Sequence, residues 1–240
     1  MKEGTCMKTL RKDALDIFNQ AFGSSRMQDA LVVCRSNKRA NLYNRHIRQR
    51  ILMREDEINS GDLLMVVRNN YFWVDASSQA GFIANGDLLE IKRIGKIEER
   101  YGFRFADISA SMIDYPNQPD LEVKVLLDTL WTETASLGPS DYKRLYEAIA
   151  NEVYLDTGKK AGLRSIREHP YYNALQVKFA YALTCHKSQG GQWGTVFIDA
   201  GMSSAEVPER GEIRWLYTAM TRATERLFLM HFPDAYFSNV

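Results

Sequence analysis

A polar segment that follows residue 183 places several different side chains that are able to do chemistry close together in the sequence. Hydroxyl, imidazole, ammonium and amide groups precede two glycines there; the residues are Thr184, His186, Lys187, Ser188, Gln189, Gly190 and Gly191. Glycines let the backbone approach a phosphate closely, and the polar side chains supply donors to phosphate oxygens. The apolar run before the segment predicts a strand, and open α/β sheets bind ligands at the carboxyl ends of their strands. The segment is therefore a candidate ligand-binding loop; the alternative is a loop that is only solvated.

Cys185 and His186 are adjacent, which raises nucleophilic catalysis as a hypothesis. Neighbouring residues of an extended chain point to opposite faces, so the two side chains cannot share the hydrogen bond that such catalysis needs. We therefore predict that Cys185 belongs to the core.

A second segment, 213–223, has apolar residues at helical spacing. The predicted inward stripe consists of Ile213, Leu216, Tyr217, Met220 and Ala223. Thr218 and Arg222 are four residues apart and share a different face of the predicted helix, directed away from the stripe. A guanidinium on a rigid helix suits a terminal phosphate, because its planar fork donates two parallel hydrogen bonds. The alternative for Arg222 is a salt bridge at the surface.

Two stretches of α/β character must position these segments. The continuous apolar run 30–34 predicts a strand that is buried on both faces of a parallel sheet. Ser36 or Asn37 is the predicted cap of the helix that follows. The further strands predicted for this part of the chain are 177–184, 195–199 and 227–232.

The character of the sequence changes between these stretches. From residue 60 to about residue 128, short runs with period-two alternation and turn residues predict a small antiparallel sheet or barrel. Pro139 begins a predicted helix, and residues 1–22 have the spacing of a leading helix. The predicted organisation is a leading helix and join over 1–25, an α/β domain over 26–58 and 173–240, and a β-rich insert with a helical segment over 59–172.

The insert contains three consecutive aromatic residues, Tyr71, Phe72 and Trp73. Bases of single-stranded nucleic acid stack on aromatic side chains, so these residues are a candidate stacking platform. The alternative is the core of a small barrel, which needs large side chains. For Phe72 we favour the core.

The composition limits the class of protein. The net charge is +1, so no overall field indicates a nucleic-acid partner. Three cysteines without a CxxC pair argue for a reducing compartment, and against a zinc site or a disulfide framework. No apolar run approaches the length of a membrane span, and the N-terminus lacks a signal pattern. The prediction is a cytoplasmic protein with no metal ligands of its own and no membrane contact.

The two polar segments resemble known helicase motifs. Residues 184–190 resemble motif V, and residues 217–223 resemble motif VI, of superfamily 1 helicases; the similarity is greatest to the RecD-like branch and its UvrD-like C-terminal domain. Both motifs come in the order of the family. The resemblance implies an α/β fold: a second RecA-like domain, with a parallel sheet and helices on both faces, interrupted by an SH3-like β-rich insert. It implies the C-terminal part of an ATP-dependent DNA helicase.

The resemblance also implies roles for individual residues. Arg222 matches the motif VI arginine that reaches the γ-phosphate of ATP, as a catalytic arginine finger. Gly190, Gly191 and Gln192 lie where motif V touches the nucleotide, although many UvrD-type members carry an acidic residue in place of Gln192. The positions that meet single-stranded DNA in the family are Thr184, His186, Lys187, Ser188 and Gln189.

The sequence contains no GxxxxGK[ST] phosphate loop, and no aspartate–glutamate pair follows an apolar strand to hold Mg²⁺. In helicases of this kind both belong to the first RecA-like domain. We therefore expect that ATP and Mg²⁺ are bound mainly by such a domain as a partner, that this chain is part of a longer protein, and that alone it is inactive. Two alternatives are a non-catalytic nucleic-acid-binding scaffold and a subunit of a helicase–nuclease complex.

Overall fold

A computed structural model describes residues 5–8, 13–24, 27–157, 162–201 and 210–232. The chain forms two compact units. Unit 1 consists of Met1–Glu55 and Ala180–Val240, and unit 2 consists of Asp56–Phe179. Within the described ranges, no helix has both the length and the apolar character that crossing a membrane requires.

Unit 1 is built on a sheet of five parallel strands. In chain order the strands are β1 (Thr5–Lys8), β2 (Ala30–Cys34), β8 (Ala182–Thr184), β9 (Trp193–Asp199) and β10 (Ala223–Met230). Their order across the sheet is β1-β10-β9-β2-β8. Every residue of β2 and β9 is buried, as the continuous apolar runs predict for a parallel sheet that is covered on both faces.

Three helices belong to unit 1: α1 (Asp13–Phe22), α2 (Asn37–His46) and α5 (Arg210–Met220). A π-helical turn, Ile47–Ile51, continues α2. The side chain of Ser36 accepts a hydrogen bond from the Arg39 amide and so caps α2, as predicted. Asn44 of α2 is buried, and its carboxamide bonds both the amide (2.8 Å) and the carbonyl (3.0 Å) of Ala182. These two hydrogen bonds replace those that a further neighbouring strand would make with the edge strand β8.

Unit 2 contains a closed barrel of five strands in the order β3-β4-β5-β6-β7. The strands are β3 (Leu63–Val66), β4 (Leu88–Arg100), β5 (Phe103–Met112), β6 (Leu121–Leu126) and β7 (Leu175–Phe179). All pairs are antiparallel except β6 with β7. Two helices, α3 (Pro139–Thr157) and α4 (Gly162–Arg167), pack on Phe103 and Phe105 through Leu145, Ile149 and Ile166.

The α/β fold with a parallel sheet and helices is confirmed, and three local predictions were wrong. The leading helix covers only α1, because residues 5–8 form β1 and extend the sheet beside β10. The apolar run 177–184 is not one strand: β7 ends at Phe179 in unit 2, and β8 begins at Ala182 in unit 1. The stretch 71–74, which lies in the region of predicted short strands and was expected to form one of them, is a series of bends.

Candidate functional site

The polar loop 185–192, here called the crossing loop, joins the end of β8 to the start of β9. These strands are parallel, and Thr184 lies level with Cys34 of β2, whereas Thr195 lies level with Ala30. Trp193 begins β9 two residues before Thr195, so the loop spans about 20 Å along the strands at about 3.3 Å per residue. Only its first half lies at the carboxyl edge of the sheet. The second half reaches the amino edge, which the sequence did not predict.

The first half of the crossing loop forms a tight turn at the end of β8. The carbonyl of Thr184 accepts hydrogen bonds from the amides of Lys187 (2.9 Å) and Ser188 (3.1 Å). Ser188 is fully buried, and its hydroxyl donates to the carbonyl of Cys185 at 2.9 Å. Of the residues that were predicted to contact single-stranded DNA, His186 and Gln189 are exposed, while Thr184 and Lys187 are half-buried. Ser188 is placed to hold the loop rather than to touch a ligand.

Burial affects two titratable groups of this turn. It lowers the pKa of the Lys187 ammonium, because desolvation disfavours the charged form. It raises the pKa of the Cys185 thiol, and the nearby guanidinium groups of Arg222 and Arg35 oppose that shift. Cys185 is buried, which confirms its predicted place in the core. A protonated, buried thiol is a poor nucleophile.

The second half of the crossing loop depends on two glycines for different reasons. Gly190 has a φ of 91°, which side chains of L-residues rarely adopt, and a Cβ there would meet no atom within 4 Å. Gly191 is limited by space instead, since a Cβ would lie 2.4 Å from the indole ring of Trp193. Gln192 is exposed beside them.

Arg222 is bonded directly to this half of the loop. Its Nη1 donates to the carbonyl of Gly191 at 2.8 Å, and the amide of Trp193 donates to the Arg222 carbonyl at 2.9 Å. Its Nε donates to the Thr218 carbonyl (3.1 Å) and its Nη2 to the Thr221 hydroxyl (3.2 Å). A guanidinium carries five N–H donors, so these three bonds leave two for a ligand. The structure thus brings Arg222 and Gly191 together although 31 residues separate them.

The prediction for the helix before Arg222 needs correction. α5 ends at Met220, so Arg222 lies in the turn between α5 and β10 and is half-buried. The predicted inward stripe is largely exposed: Ile213 by 55%, Tyr217 by 71% and Met220 by 38%. Ala219 is the buried residue of α5. Regular spacing identified the helix correctly but not the face that packs.

A buried ionic cluster at the carboxyl edge of the sheet was missed. Asp199, the last residue of β9, is fully buried and bonded to the Arg39 guanidinium, to Nδ1 of His231 (2.9 Å) and to the Gly201 amide (3.0 Å). Burial acts to raise the pKa of Asp199, but these hydrogen bonds and the Arg39 charge outweigh it, so the pKa is lowered. An acidic residue at the end of an apolar strand was the available sequence signal.

The described residues hold no group of three His, Cys, Asp or Glu side chains that could bind a metal ion. Charge at the carboxyl edge comes from arginine: Arg35 donates to the Ala200 carbonyl (2.6 Å), pairs with Glu212 (2.6 Å) and lies over the Trp215 ring at 4.2 Å.

Residues 179–230, which contain the crossing loop, α5 and Arg222, match the family model described as UvrD-like helicase C-terminal domain. The predicted resemblance is confirmed. It covers the part of unit 1 that holds both polar segments.

Several solved structures are similar to the chain. They include Pif1 helicase from Candida albicans (12% identity, 85% of this chain and 45% of that chain, TM-score 0.44). Two others are Pif1 from Bacteroides in complex with ADP-AlF3 and ssDNA (15%, 94% and 47%, TM-score 0.46) and unliganded Pif1 from Bacteroides sp (14%, 93% and 47%, TM-score 0.41). The chain spans less than half the length of each. Among curated proteins there is no match.

Proposed function

We propose that this chain is the second motor domain of an ATP-dependent DNA helicase. The hydrogen bond from Arg222 to the Gly191 carbonyl carries the proposal, because it joins the two segments that resemble motifs V and VI. Two free N–H donors of Arg222 and the open backbone at Gly190 provide a site for a terminal phosphate at the amino edge of the sheet. Arg222 then acts as an arginine finger toward ATP and Mg²⁺ held by a phosphate-loop domain.

The single-stranded DNA contact belongs to the other end of the crossing loop. His186 and Gln189 are exposed, and Lys187 offers an ammonium whose partial desolvation strengthens its attraction to a phosphate. Ser188 fixes the turn from within. The crossing loop has eight residues, and its two ends contribute to the proposed nucleotide and DNA sites. A shift that the nucleotide causes at Gly191 therefore changes the position of Lys187. That shared loop supplies the coupling between the sites.

The test uses a protein that joins this chain to the phosphate-loop domain. Arg222→Ala should lower ATP turnover by about 10³-fold, because the charge on the transferring phosphoryl group is no longer neutralised. Arg222→Lys should fail almost as badly, since a point charge does not reproduce the bidentate fork. Arg226→Ala is the matched control: it removes the same charge four residues away, where the side chain donates to the Thr195 hydroxyl.

Stability must be measured alongside turnover. Arg222 makes three hydrogen bonds to its own chain, so Arg222→Ala should also lower the free energy of unfolding by about 1–2 kcal/mol. Single-strand affinity should remain within about twofold, because the strand contacts lie at the opposite edge. A variant that is destabilised yet turns over ATP at the original rate contradicts the arginine-finger role. The scaffold alternative predicts no turnover in the parent protein.

A further inference from the structure

A cavity of about 510 Å³ is lined by residues of unit 2, whereas the crossing loop belongs to unit 1. Its lining combines aromatic rings with guanidinium and amide groups; the residues that matter are Arg68, Tyr71, Phe72, Tyr142, Arg167 and Tyr172. The volume lies within the range of about 300–1,000 Å³ that is usual for ligand sites. Most ligand sites are lined mainly by apolar groups with a few polar ones. This lining is unusual in pairing several rings with two cations.

Two aromatic side chains of the cavity are exposed to solvent. Tyr71 is 71% exposed and Phe72 37%, so the predicted core position of Phe72 was wrong. Trp73 is the residue that turns inward: it is half-buried, and its Nε1 donates to the Asn173 carbonyl at 2.7 Å. Trp73 therefore packs against the protein, whereas the rings of Tyr71 and Phe72 stay exposed on the cavity lining.

Hydrogen bonds and a ring contact hold the segment that carries these rings. The buried side chain of Asn70 accepts hydrogen bonds from the amides of Phe72 (2.9 Å) and Trp73 (3.3 Å), and donates to the Asn173 carbonyl (2.8 Å). The Tyr71 ring stacks on Phe82 at a centroid distance of 5.0 Å. A ring that is already ordered loses little conformational entropy when a partner stacks on it. The arrangement is preorganised for a planar ligand.

The charges of the cavity favour an anion. Arg68 lies over the Tyr142 ring at 4.3 Å, and Arg167 is exposed on the lining. The one carboxylate of the lining, Glu168, is bonded to Arg164 at 2.8 Å. Two guanidinium groups beside stacked rings match a ligand in which planar groups alternate with phosphates.

We propose that this cavity is a second subsite for single-stranded nucleic acid, in which bases stack on Tyr71 and Phe72 while phosphates lie beside Arg68 and Arg167. The inference deepens the proposed function and rests on it, since it requires that single-stranded nucleic acid is a ligand of the protein. Aromatic grooves also bind extended proline-rich peptides. A neutral peptide gives the two arginines no partner, and the observations therefore favour nucleic acid.

The first experiment measures the binding of a labelled oligodeoxythymidylate to the 240-residue chain by fluorescence anisotropy. Tyr71→Ala and Phe72→Ala should each weaken binding by about tenfold, the usual size of one lost stacking contact. Tyr154→Ala is the matched control, because that tyrosine is 41% exposed on α3 in the same unit but outside the cavity lining. Melting temperatures verify that the variants are folded, which the exposure of both rings leads us to expect.

A charge arm tests the phosphate contact. Arg68→Gln should reduce the slope of log affinity against log salt by about 1, the value expected for one lost phosphate contact. Arg93→Gln removes a charge from β4 of the same unit, where the arginine pairs with Glu122, and should leave the slope unchanged. Equal slopes for Arg68→Gln and the parent chain would contradict a phosphate beside Arg68.

A third arm identifies the source of the ligand and separates the two proposals. An oligodeoxythymidylate carrying a photoreactive iodinated base should cross-link to Tyr71 or Phe72. Thymidine monophosphate binding there as tightly as the strand, or a proline-rich peptide displacing the strand, would overturn the subsite. If Lys187→Ala weakens binding but the ring variants do not, the crossing loop keeps its role and the subsite is lost. If the ring variants alone weaken binding, the subsite stands and the crossing loop loses its role.

Discussion

The two candidate contact surfaces of this chain are held in place by different chemistry. In unit 1 the carboxyl edge of the sheet is organised by a buried carboxylate, Asp199, and the guanidinium of Arg39. In unit 2 the aromatic surface is organised by a neutral amide, Asn70. A buried charge is costly when its partner is lost, whereas a neutral hydrogen-bonding group costs less. The comparison teaches that the carboxyl edge of the unit 1 sheet depends on pH and on a few ionic residues, and that the Asn70 site of unit 2 does not.

The largest expected effect comes from removing the cation of the ionic cluster. Arg39→Met should lower the free energy of unfolding by about 3–5 kcal/mol at neutral pH, because it removes the arginine partner of a fully buried carboxylate. Denaturant titrations at two pH values measure it. Arg50→Met, at an exposed site of the same helical region, should change the free energy by less than about 0.5 kcal/mol.

The loss of stability in Arg39→Met should depend on pH, and the direction follows from the pKa of Asp199. The pKa of Asp199 is lowered in the folded chain, so its stabilising contribution is complete above the ordinary value of 3.8 and is lost as pH falls through the folded pKa. Without Arg39, burial raises the pKa of Asp199, and the folded variant binds a proton more readily. The deficit of Arg39→Met should therefore shrink between pH 7 and pH 4. An equal deficit at both pH values would show that the loss is one of packing.

A medium effect is expected at the corresponding residue of unit 2. Asn70→Ala should cost about 2 kcal/mol, since it removes the side-chain acceptor of the Phe72 and Trp73 amides. The loss should be the same at pH 7 and pH 4, in contrast to Arg39→Met. Asn117→Ala, at an exposed turn, is the control. A loss at Asn70 that varies strongly with pH would remove the contrast between the Asn70 site and the Asp199 cluster.

The smallest effect concerns the crossing loop. Gly190→Ala should cost about 1 kcal/mol, because alanine is strained at a φ of 91° although space is available. Gly191→Ala should cost more, since its Cβ meets the Trp193 ring. Thermal melting of both variants measures the order. If Gly190→Ala were the more harmful of the two, the loop would differ from its described conformation.

Local patterns predicted the elements whose burial follows from their composition. The continuous apolar run 30–34 is β2, Pro139 begins α3, and Ser36 caps α2. In each of these elements a short stretch of sequence contains the physical cause. The motif resemblance assigned Arg222 and Gly191 to one nucleotide site, and the hydrogen bond between them is a finding of the structure.

What the sequence did not predict depends on residues far apart in the chain. An apolar run that continues across a unit boundary looks like one strand, so the division between β7 and β8 was missed. The exposure of Ile213 and Tyr217 is set by what packs on α5, not by their spacing. The inward turn of Trp73 depends on a carbonyl 100 residues away. The spacing of apolar residues in the sequence does not indicate such contacts.

The strand order of unit 1 has a consequence for the order of folding. β2 comes from the first segment of the chain, yet both of its neighbours, β8 and β9, come from the last. β2 can therefore pair with β8 and β9 only after the whole of unit 2 has been synthesised. This pairing brings together residues that are separated by well over a hundred positions. Unit 2 is one continuous segment, Asp56–Phe179. Because non-local pairing is slow, we expect that the barrel folds first during synthesis and that the sheet of unit 1 forms last.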